Sequence, residues 1–262
     1  MKNVLITGCS SGIGQALVKK YLDNAFNVFG IDLKEPSKND FTFFKADITN
    51  EEELKNVYNE LIKEDVKLDI IINVAGIHKM AALVETDYTV MKKVIDVNLC
   101  GTMLINRTFH NLLMEKGKVI IITSEVASFD PLPFNGLYNV SKVALDSYAQ
   151  ALRQELNLLN QKVITIRPGA IETELSNNSL IDTSKLASQT VLYQKQSNKF
   201  LHFTKKFMGT PMKPEKLANL IYKVSLKKNP KYIYKKHQNI GLVLLGILPK
   251  RLQCFIIKSL LN

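Results

Sequence analysis

The sequence has few cysteines, and they are far apart. Cys9, Cys100 and Cys254 are the only three in 262 residues, and their spacing matches neither a disulfide framework nor a zinc site. We therefore expect a protein of a reducing compartment that has no structural disulfide and binds no metal. With 46% hydrophobic and 23% charged residues, the composition excludes a disordered, collagen-like or coiled-coil chain.

Long apolar segments are also scarce. The longest run is residues 240–248 (IGLVLLGIL), well short of the roughly 20 residues needed to span a bilayer. The opening MKNVLITG leaves no room for a secretory signal before Gly8. We therefore expect a cytoplasmic protein.

Acidic residues are almost absent from the last third of the chain. Residues 185–262 contain 16 Lys and Arg and one acid, Glu215, whereas the preceding 184 residues contain 19 basic and 23 acidic residues. The two parts carry +15 and −4, which together make the net charge of +11. Such asymmetry suggests an anionic surface, an anionic substrate or nucleic acid. Because no nucleic-acid-binding motif accompanies the charge, we expect no nucleic-acid partner.

Short apolar runs alternate with segments of helical spacing. The predicted strands are residues 4–6, 28–31, 41–44, 70–72, 119–122 and 163–166, and the predicted helices are 13–22, 51–62, 90–114 and 137–159. Continuous apolar strands between helices predict an α/β domain with a doubly wound parallel sheet. We assign residues 1–238 to this domain and residues 239–262 to an amphipathic C-terminal extension.

A glycine-rich loop follows the first strand and opens the first helix. Glycines there let the backbone turn tightly and approach a pyrophosphate, which the free N–H groups of the helix start would face. The GxxxGxG spacing differs from the general GxGxxG fingerprint, so a simple strand-to-helix turn is the alternative. The loop residues assigned to a dinucleotide are Gly8, Ser10, Ser11, Gly12, Ile13 and Gly14.

Asp32 ends the second predicted strand, 18 residues after Gly14. This is close to the about 20 residues expected for an acid that binds the adenosine ribose. A carboxylate there repels a 2′-phosphate and favours NAD(H). Lys34 nearby leaves NADP(H) as the alternative, and a helix cap or turn is the alternative role for Asp32.

These motifs and others in the same order resemble the short-chain dehydrogenase/reductase family over about residues 2–235. Its TGxxxGxG pattern matches residues 7–14, its NNAG motif appears as NVAG at residues 73–76, and its YxxxK motif matches Tyr138 and Lys142. The resemblance implies a Rossmann-type fold and an NAD(P)(H)-dependent oxidoreductase. It also assigns to the cofactor Asp47, Ile48, Asn73, Ala75, Gly76, Tyr138, Lys142, Pro168, Gly169, Ile171 and Thr173.

Tyr138 and Lys142 are predicted to carry catalysis. YxxxK occurs three times, starting at Tyr88, Tyr138 and Tyr232, but only the second copy follows a core strand and opens a long helix. Residues four apart share a helix face, so both side chains can reach one site. A nearby ammonium favours the phenolate, and Tyr138 then exchanges a proton with the substrate oxygen. The resemblance adds Asn98, which would hold a water in a proton relay.

The catalytic serine of the family normally lies 13 residues before the tyrosine, and Glu125 stands at that position here. Ser124 is one residue earlier, where strand alternation would point it to the opposite face. Three alternatives follow. Ser124 takes the role through a local bulge; Glu125 takes it, as a protonated donor or by binding a polar substrate group; or the activity is altered or absent. We favour a retained enzyme with an unusual polar site.

Residues 171–212 correspond to the substrate lid of the family, although their weak periodicity also fits a floppy insertion. Small-molecule sites are mostly apolar, so we expect a lipophilic alcohol or ketone, such as a steroid, retinoid or acyl-chain compound. The apolar residues that either line such a pocket or pack the lid down are Leu175, Leu180, Ile181, Leu186, Val191, Leu192, Phe200, Leu201, Phe203 and Phe207.

Residues 240–261 combine an apolar run with basic residues and a helical apolar spacing. This pattern is typical of an amphipathic helix at a membrane surface, here the inner surface of the membrane. It is equally typical of a helix packed on the domain or on a second subunit.

Two other functions fit the motifs. One is a non-catalytic dinucleotide-binding sensor or scaffold, because a fold does not fix a function, and Glu125 favours it. The other is a 3-oxoacyl-carrier-protein reductase, whose acidic partner the basic tail would suit but against which Asp32 argues. The resemblance further implies a homodimer or homotetramer built through the two long helices, residues 90–114 and 137–159.

Overall fold

The computed structural model of the chain describes residues 1–38, 40–207 and 210–262, without the side chains of residues 177, 178, 180 and 205–207. Two of the apolar lid residues, Leu180 and Phe207, therefore lie outside the described side chains.

Seven strands of the described residues form one parallel sheet. They are β1 (Lys2–Thr7), β2 (Phe26–Asp32), β3 (Thr42–Lys45), β4 (Leu68–Asn73), β5 (Leu113–Ile122), β6 (Lys162–Pro168) and β7 (Ile233–Lys236). Their order across the sheet is β3-β2-β1-β4-β5-β6-β7. Central strand residues such as Val4, Leu5 and Ile6 are fully buried, because both faces of the sheet are covered. The predicted doubly wound, Rossmann-type parallel sheet is confirmed.

Ten α-helices of the described chain surround this sheet. They are α1 (Gly12–Leu22), α2 (Glu51–Lys63), α3 (Tyr88–Ile95), α4 (Thr102–Phe109), α5 (Gly136–Asn157), α6 (Glu174–Gln189), α7 (Gln194–Phe207), α8 (Pro214–Ser225), α9 (Ile240–Ile247) and α10 (Lys250–Leu261). The first core cluster packs one sheet face against α2, α4 and α5. The second packs the other face against α1 and α8.

The order of the strands reverses beside β1. The chain runs outward from β1 through β2 to β3 and then returns to β4 on the other side of β1. Such a switch point opens a crevice at the carboxyl ends of the strands, where ligands bind in open α/β sheets. The loops after β1 and β4 border this crevice.

One predicted helix was wrong in its extent, and one strand was not predicted. The helix predicted over residues 90–114 ends at Phe109, and Leu113 and Met114 belong to β5, where Leu113 pairs with Leu68. A short apolar run suits a helix or a strand equally well, so pairing with β4 decided its structure. Strand β7 was not predicted, because it is a short segment of mostly exposed residues that pairs with β6 at the edge of the sheet.

The predicted lid segment consists mainly of α6 and α7. Its two ends are joined by a bridge between Ile171 and Met212, and the Glu172 N–H donates to the Met212 carbonyl at 2.9 Å. A third apolar cluster packs the lid on the domain, and its buried members are Met80, Ala82, Phe134, Phe200 and Leu261. Among the predicted lid residues, Phe200 and Leu186 join this cluster, whereas Ile181, Val191 and Leu192 are exposed.

Candidate active site

A tight glycine loop joins β1 to α1 at the crevice. Gly8 and Gly12 have φ values of +67° and +49°, in the left-handed region that favours glycine. A Cβ on Gly8 would lie 2.9 Å from the Ala75 backbone, and one on Gly14 would lie 1.8 Å from the Gly8 carbonyl oxygen. Within the described chain no side chain caps the start of α1 at Ser11, so its first N–H groups are available to an anion. The loop therefore fits a pyrophosphate.

Asp32 lies at the end of β2, beside the glycine loop. Its carboxylate accepts hydrogen bonds from the backbone N–H groups of Ser10 at 3.0 Å and Lys34 at 3.1 Å. The Ser10 hydroxyl donates to the Lys34 carbonyl at 2.5 Å. These bonds hold a negative charge next to the loop. The Lys34 ammonium lies 3.6 Å from the Glu174 carboxylate in an exposed ion pair.

Asp47 and Ile48 follow β3 and have local partners. The Asp47 carboxylate accepts hydrogen bonds from the Thr49 backbone N–H at 2.8 Å and from its hydroxyl at 2.7 Å. Ile48 is buried against Gly101, where a Cβ would lie 2.7 Å from the Ile48 Cδ1 atom. Both residues thus stabilise the loop, and their contact with an adenine stays a prediction.

The loop after β4 is held against the glycine loop. The Thr7 hydroxyl oxygen accepts hydrogen bonds from the N–H groups of Val74 at 3.1 Å and Ala75 at 3.2 Å. The buried Asn73 amide donates to the Asn106 side-chain oxygen at 3.0 Å. The side chain of Asn73 therefore supports the helix packing, while its neighbours form the crevice wall.

A π-helical turn (Asp96–Gly101) between α3 and α4 presents Asn98 to the site. Asn98 is fully buried, and its amide exchanges hydrogen bonds with the Ile77 backbone at 2.7 and 2.9 Å. It also donates to the Ser141 hydroxyl at 2.9 Å. A Cβ on Gly76 would lie 3.1 Å from the Asn98 side-chain oxygen and 3.5 Å from the Lys142 Nζ atom, so these three residues meet. Such π turns often occur at functional sites.

Ser124 lies near enough to the Tyr138 phenol to lower the pKa of Tyr138 through its hydroxyl group. Strand β5 ends at Ile122, and Ser124 caps the short 3-10 turn that follows, Glu125–Ser128. Because Ser124 lies beyond the strand, the alternation that would have pointed it away from the site does not apply. No bulge is needed to bring its hydroxyl to the phenol.

Burial shifts the proton affinities of the YxxxK pair in opposite senses. It raises the pKa of Tyr138 to about 12, and the hydrogen bond from Ser124 acts against this rise. It lowers the pKa of Lys142 to about 8. The Lys142 ammonium donates to the Ile122 carbonyl at 3.3 Å and lies 5.8 Å from the centroid of the Tyr138 ring. Desolvation disfavours the charged form of each group, so Tyr138 keeps its proton at pH 7, and the expected lowering of its pKa by Lys142 is not found in the cofactor-free chain.

Glu125 faces the C-terminal segment rather than Tyr138. Its carboxylate accepts a hydrogen bond from the Asn239 N–H at 2.6 Å and lies beside Gly169. Burial raises the pKa of Glu125, while this hydrogen bond and the nearby His237 act to lower it. The carboxylate of Glu125 thus has a structural role, which is to bind the backbone at Asn239.

The loop after β6 closes over the glycine loop. Gly169 has no room for a side chain, since a Cβ would lie 1.8 Å from the His237 carbonyl oxygen. Thr173 caps α6 by accepting a hydrogen bond from the Ser176 N–H at 3.3 Å, and its methyl group lies 2.9 Å from a Cβ placed on Gly12. Pro168 and Ile171 are buried beneath the loop.

His78 is a site residue that the sequence reasoning missed. Its ring centroid lies 4.4 Å from that of Tyr138, and its Nε2 atom lies 3.0 Å from the Asn135 side-chain oxygen. Burial lowers the pKa of His78 to about 4, so the ring is neutral at pH 7. In the described part of the chain its buried Nδ1 atom has no hydrogen-bond partner. The sequence signal that could have identified His78 is its position, since it is an ionisable residue two positions after Gly76 of the family motif.

A model of the family described as short chain dehydrogenase matches residues 2–183. This match covers well over half of the chain. The chain belongs to this family of oxidoreductases.

Individual relatives of this dehydrogenase act on different compounds. It is 35% identical to the NADPH-dependent 1-acyldihydroxyacetone phosphate reductase of Schizosaccharomyces pombe over 187 residues, 68% of this chain and 63% of the relative. It is 28% identical to the 3-ketodihydrosphingosine reductase of Bacteroides thetaiotaomicron over 233 residues, 87% of this chain and 85% of the relative. Among solved structures it is similar to 4-hydroxyisoleucine dehydrogenase complexed with NADH, with a TM-score of 0.74, 25% identity, and coverage of 91% and 98% of the two chains.

Proposed function

We propose that this dehydrogenase is an NAD(P)(H)-dependent enzyme that interconverts a secondary alcohol and a ketone. The observation that carries the proposal is the buried group of Ser124, Tyr138 and Lys142 beside the crevice, with Asn98 behind it. A bound nicotinamide dinucleotide supplies the hydride for reduction of a ketone or accepts it from an alcohol.

The protein side chains handle the proton. Tyr138 donates its phenolic proton to the ketone oxygen, or takes the proton of the alcohol in the reverse direction. Ser124 hydrogen-bonds to the phenol and offers a second polar contact for the substrate oxygen. The Lys142 ammonium stabilises the resulting phenolate electrostatically. Asn98 is held by the Ile77 backbone and donates to the Ser141 hydroxyl, and the proposed relay water would bind beside it.

The substitution Tyr138→Phe tests this assignment. Loss of a general acid or base costs about 100- to 10,000-fold in rate, so we expect turnover to fall by at least that range while dinucleotide binding survives. Reduction of a panel of lipophilic ketones is followed through oxidation of NADH, and binding is followed through its fluorescence. Tyr88→Phe is the matched control, because this tyrosine starts another YxxxK segment and is exposed. Turnover by Tyr138→Phe at the control rate would contradict the assignment.

We further propose NAD(H) as the preferred cofactor. The support is the Asp32 carboxylate, held beside the glycine loop by the Ser10 and Lys34 N–H groups, where it would repel a 2′-phosphate. In Asp32→Ala the affinity ratio of NADPH to NADH should rise, since one close like-charge contact is removed. Glu35→Ala is the control, because this carboxylate is exposed nearby. Tighter binding of NADPH than NADH by the unchanged protein would contradict the preference.

We propose a lipophilic substrate of the acyl-chain, steroid or retinoid kind. The support is the apolar cluster around Phe134 and Phe200, which packs the lid beside the two loops that carry His78 and Asn135. Two similar proteins are named as reductases of 1-acyldihydroxyacetone phosphate and of 3-ketodihydrosphingosine. The non-catalytic sensor or scaffold stays the alternative, and Glu125, the residue that favours it, has a structural partner in the Asn239 N–H. Homo-oligomerisation through residues 90–114 and 137–159 stays a prediction.

A further inference from the structure

The two C-terminal helices present an apolar surface to solvent. Helix α9 contains only apolar residues and glycine and has no buried residue. Ile240 and Ile247 are each 75% exposed, Phe255 is 66% exposed and Leu244 is 61% exposed. We call the outward residues of both helices the apolar C-terminal face; they are Ile240, Leu244, Ile247, Leu252, Phe255 and Leu260. Contiguous exposed apolar patches on a soluble domain mark interaction sites.

The opposite sides of both helices are attached to the domain. Gly246 lies against the Phe129 ring, whose Cδ1 atom would be 3.1 Å from an added Cβ. The buried Gln253 side chain donates to the Asp130 carboxylate at 3.1 Å, and Leu261 packs with Phe134 in the third cluster. These contacts hold the apolar C-terminal face outward, so its exposure does not result from a loose tail.

The charges around this face are mostly positive, and Asp130, which pairs with Lys250 at 3.2 Å, is an acidic exception. Lys250, Arg251 and Lys258 lie on α10, and Lys235 and Lys236 end the strand before α9; all five are exposed. Residues 231–262 contain no acidic residue. Apolar residues flanked by lysine and arginine suit the boundary between the acyl chains and the anionic headgroups of a bilayer. A second copy fits poorly, because a two-fold interface would place these cations against each other.

We propose that the apolar C-terminal face inserts into the surface of an anionic lipid bilayer. Phe255 and the aliphatic residues of α9 enter the acyl-chain boundary, while the lysine and arginine side chains contact lipid phosphates. The eight residues of α9 extend about 12 Å at 1.5 Å per residue, so the helix lies in the interface. Among the described residues no helix is long and apolar enough to cross a bilayer. Glu125 joins this face to the active site, since it binds the Asn239 N–H at the start of α9.

Vesicle sedimentation of the full chain tests the proposal. The vesicles are phosphatidylcholine alone and phosphatidylcholine mixed with phosphatidylglycerol. We expect the protein to pellet with the mixed vesicles and to be released by added salt, since the attraction to lipid is partly electrostatic. In Leu244→Asp/Phe255→Asp the partition onto mixed vesicles should fall by about 100-fold, because two large apolar side chains no longer insert.

Matched variants separate insertion from general effects. Val191→Asp/Leu159→Asp changes two exposed apolar residues elsewhere and should bind like the unchanged protein. Arg251→Gln/Lys258→Gln should bind the mixed vesicles more weakly. Should the aspartate pair fail to fold, Leu244→Gln/Phe255→Gln replaces it with neutral polar side chains.

Three results would overturn the proposal. The first is no binding of the unchanged protein to mixed vesicles, and the second is undiminished binding of the variants at positions 244 and 255. The third is a dimer in light scattering that dissociates in Leu244→Asp/Phe255→Asp without any vesicle binding, which would assign the face to a second copy. None of these results depends on turnover, so they are independent of the proposed enzymatic activity.

Discussion

Replacing Lys142 with methionine should make the cofactor-free protein more stable at pH 7. Lys142 is 5% exposed as a residue, and its ammonium group has one hydrogen bond among those described, to the Ile122 carbonyl at 3.3 Å. Methionine has a similar length and no charge, so the substitution removes a desolvated cation from the core with little change in volume. The same substitution should abolish turnover under the proposed mechanism.

The magnitude follows from the pKa of Lys142. Burial lowers it from 10.5 to about 8, and each unit corresponds to about 1.4 kcal/mol, which makes the penalty for the charged form about 3 kcal/mol. The lost hydrogen bond to Ile122 offsets about 1–2 kcal/mol of this. We therefore expect the free energy of unfolding to rise by about 1–2 kcal/mol at pH 7.

The sign of the pH dependence is specific. Because the pKa of Lys142 is lower in the folded protein, the unfolded chain binds more protons between pH 8 and 10.5. The free energy of unfolding of the unchanged protein therefore rises as pH rises through that window, because the penalty for burying the charge of Lys142 disappears. The difference in the free energy of unfolding between Lys142→Met and the unchanged protein should shrink across the same window.

Urea unfolding at pH 7 and at several points up to pH 10.5 measures both effects. Lys55→Met, on the exposed side of α2, is the matched control and should change stability by less than about 0.5 kcal/mol. A Lys142→Met protein that is less stable than the unchanged one at pH 7, or whose advantage is constant with pH, would refute the reasoning.

Two further predictions concern other buried titratable groups. Glu125→Gln should match or exceed the unchanged protein in thermal stability at pH 7, because burial raises the pKa of Glu125 and a neutral amide can still accept the Asn239 hydrogen bond; the difference should shrink as pH falls and the carboxyl is protonated. Glu125→Ala should instead lower the melting temperature, and equal melting temperatures of both variants would argue against stabilisation by the hydrogen bond between Glu125 and Asn239. The pKa of His78 falls from 6.5 to about 4 on folding, so the unchanged protein should lose up to about 1.4 kcal/mol per pH unit as pH falls through that window. His78→Gln should lack this part of the slope in urea unfolding, and identical slopes would contradict the assignment.

Much of the fold was readable because its signals are local. A buried parallel strand needs a continuous apolar run, as at Val4 to Ile6, and a loop that passes close to another backbone needs glycine, as at Gly8 and Gly14. The apolar run at Leu113 and Met114 and the exposed β7 could not be assigned locally, because only pairing with β4 and β6 makes them strands.

The active-site residues divide in the same way. Tyr138 and Lys142 share a helix face by their spacing alone, so the sequence alone paired them. It left Ser124 and Glu125 as alternatives, because the choice depends on where β5 ends and on what each side chain meets. Ser124 lies near Tyr138 of the following helix. Glu125 instead accepts a hydrogen bond from Asn239, more than a hundred residues away along the chain. The proximity of His78 to Tyr138 also depends on a long-range contact.

The sequence by itself determined the parallel α/β architecture, the glycine loop and the order of the family motifs, since backbone geometry and hydrophobic periodicity are properties of neighbouring residues. Only the tertiary structure decided which hydroxyl meets the tyrosine, why a carboxylate follows it, and which side of the C-terminal helices faces outward. Those answers depend on burial and on contacts between distant segments, and these exist only once the chain has packed.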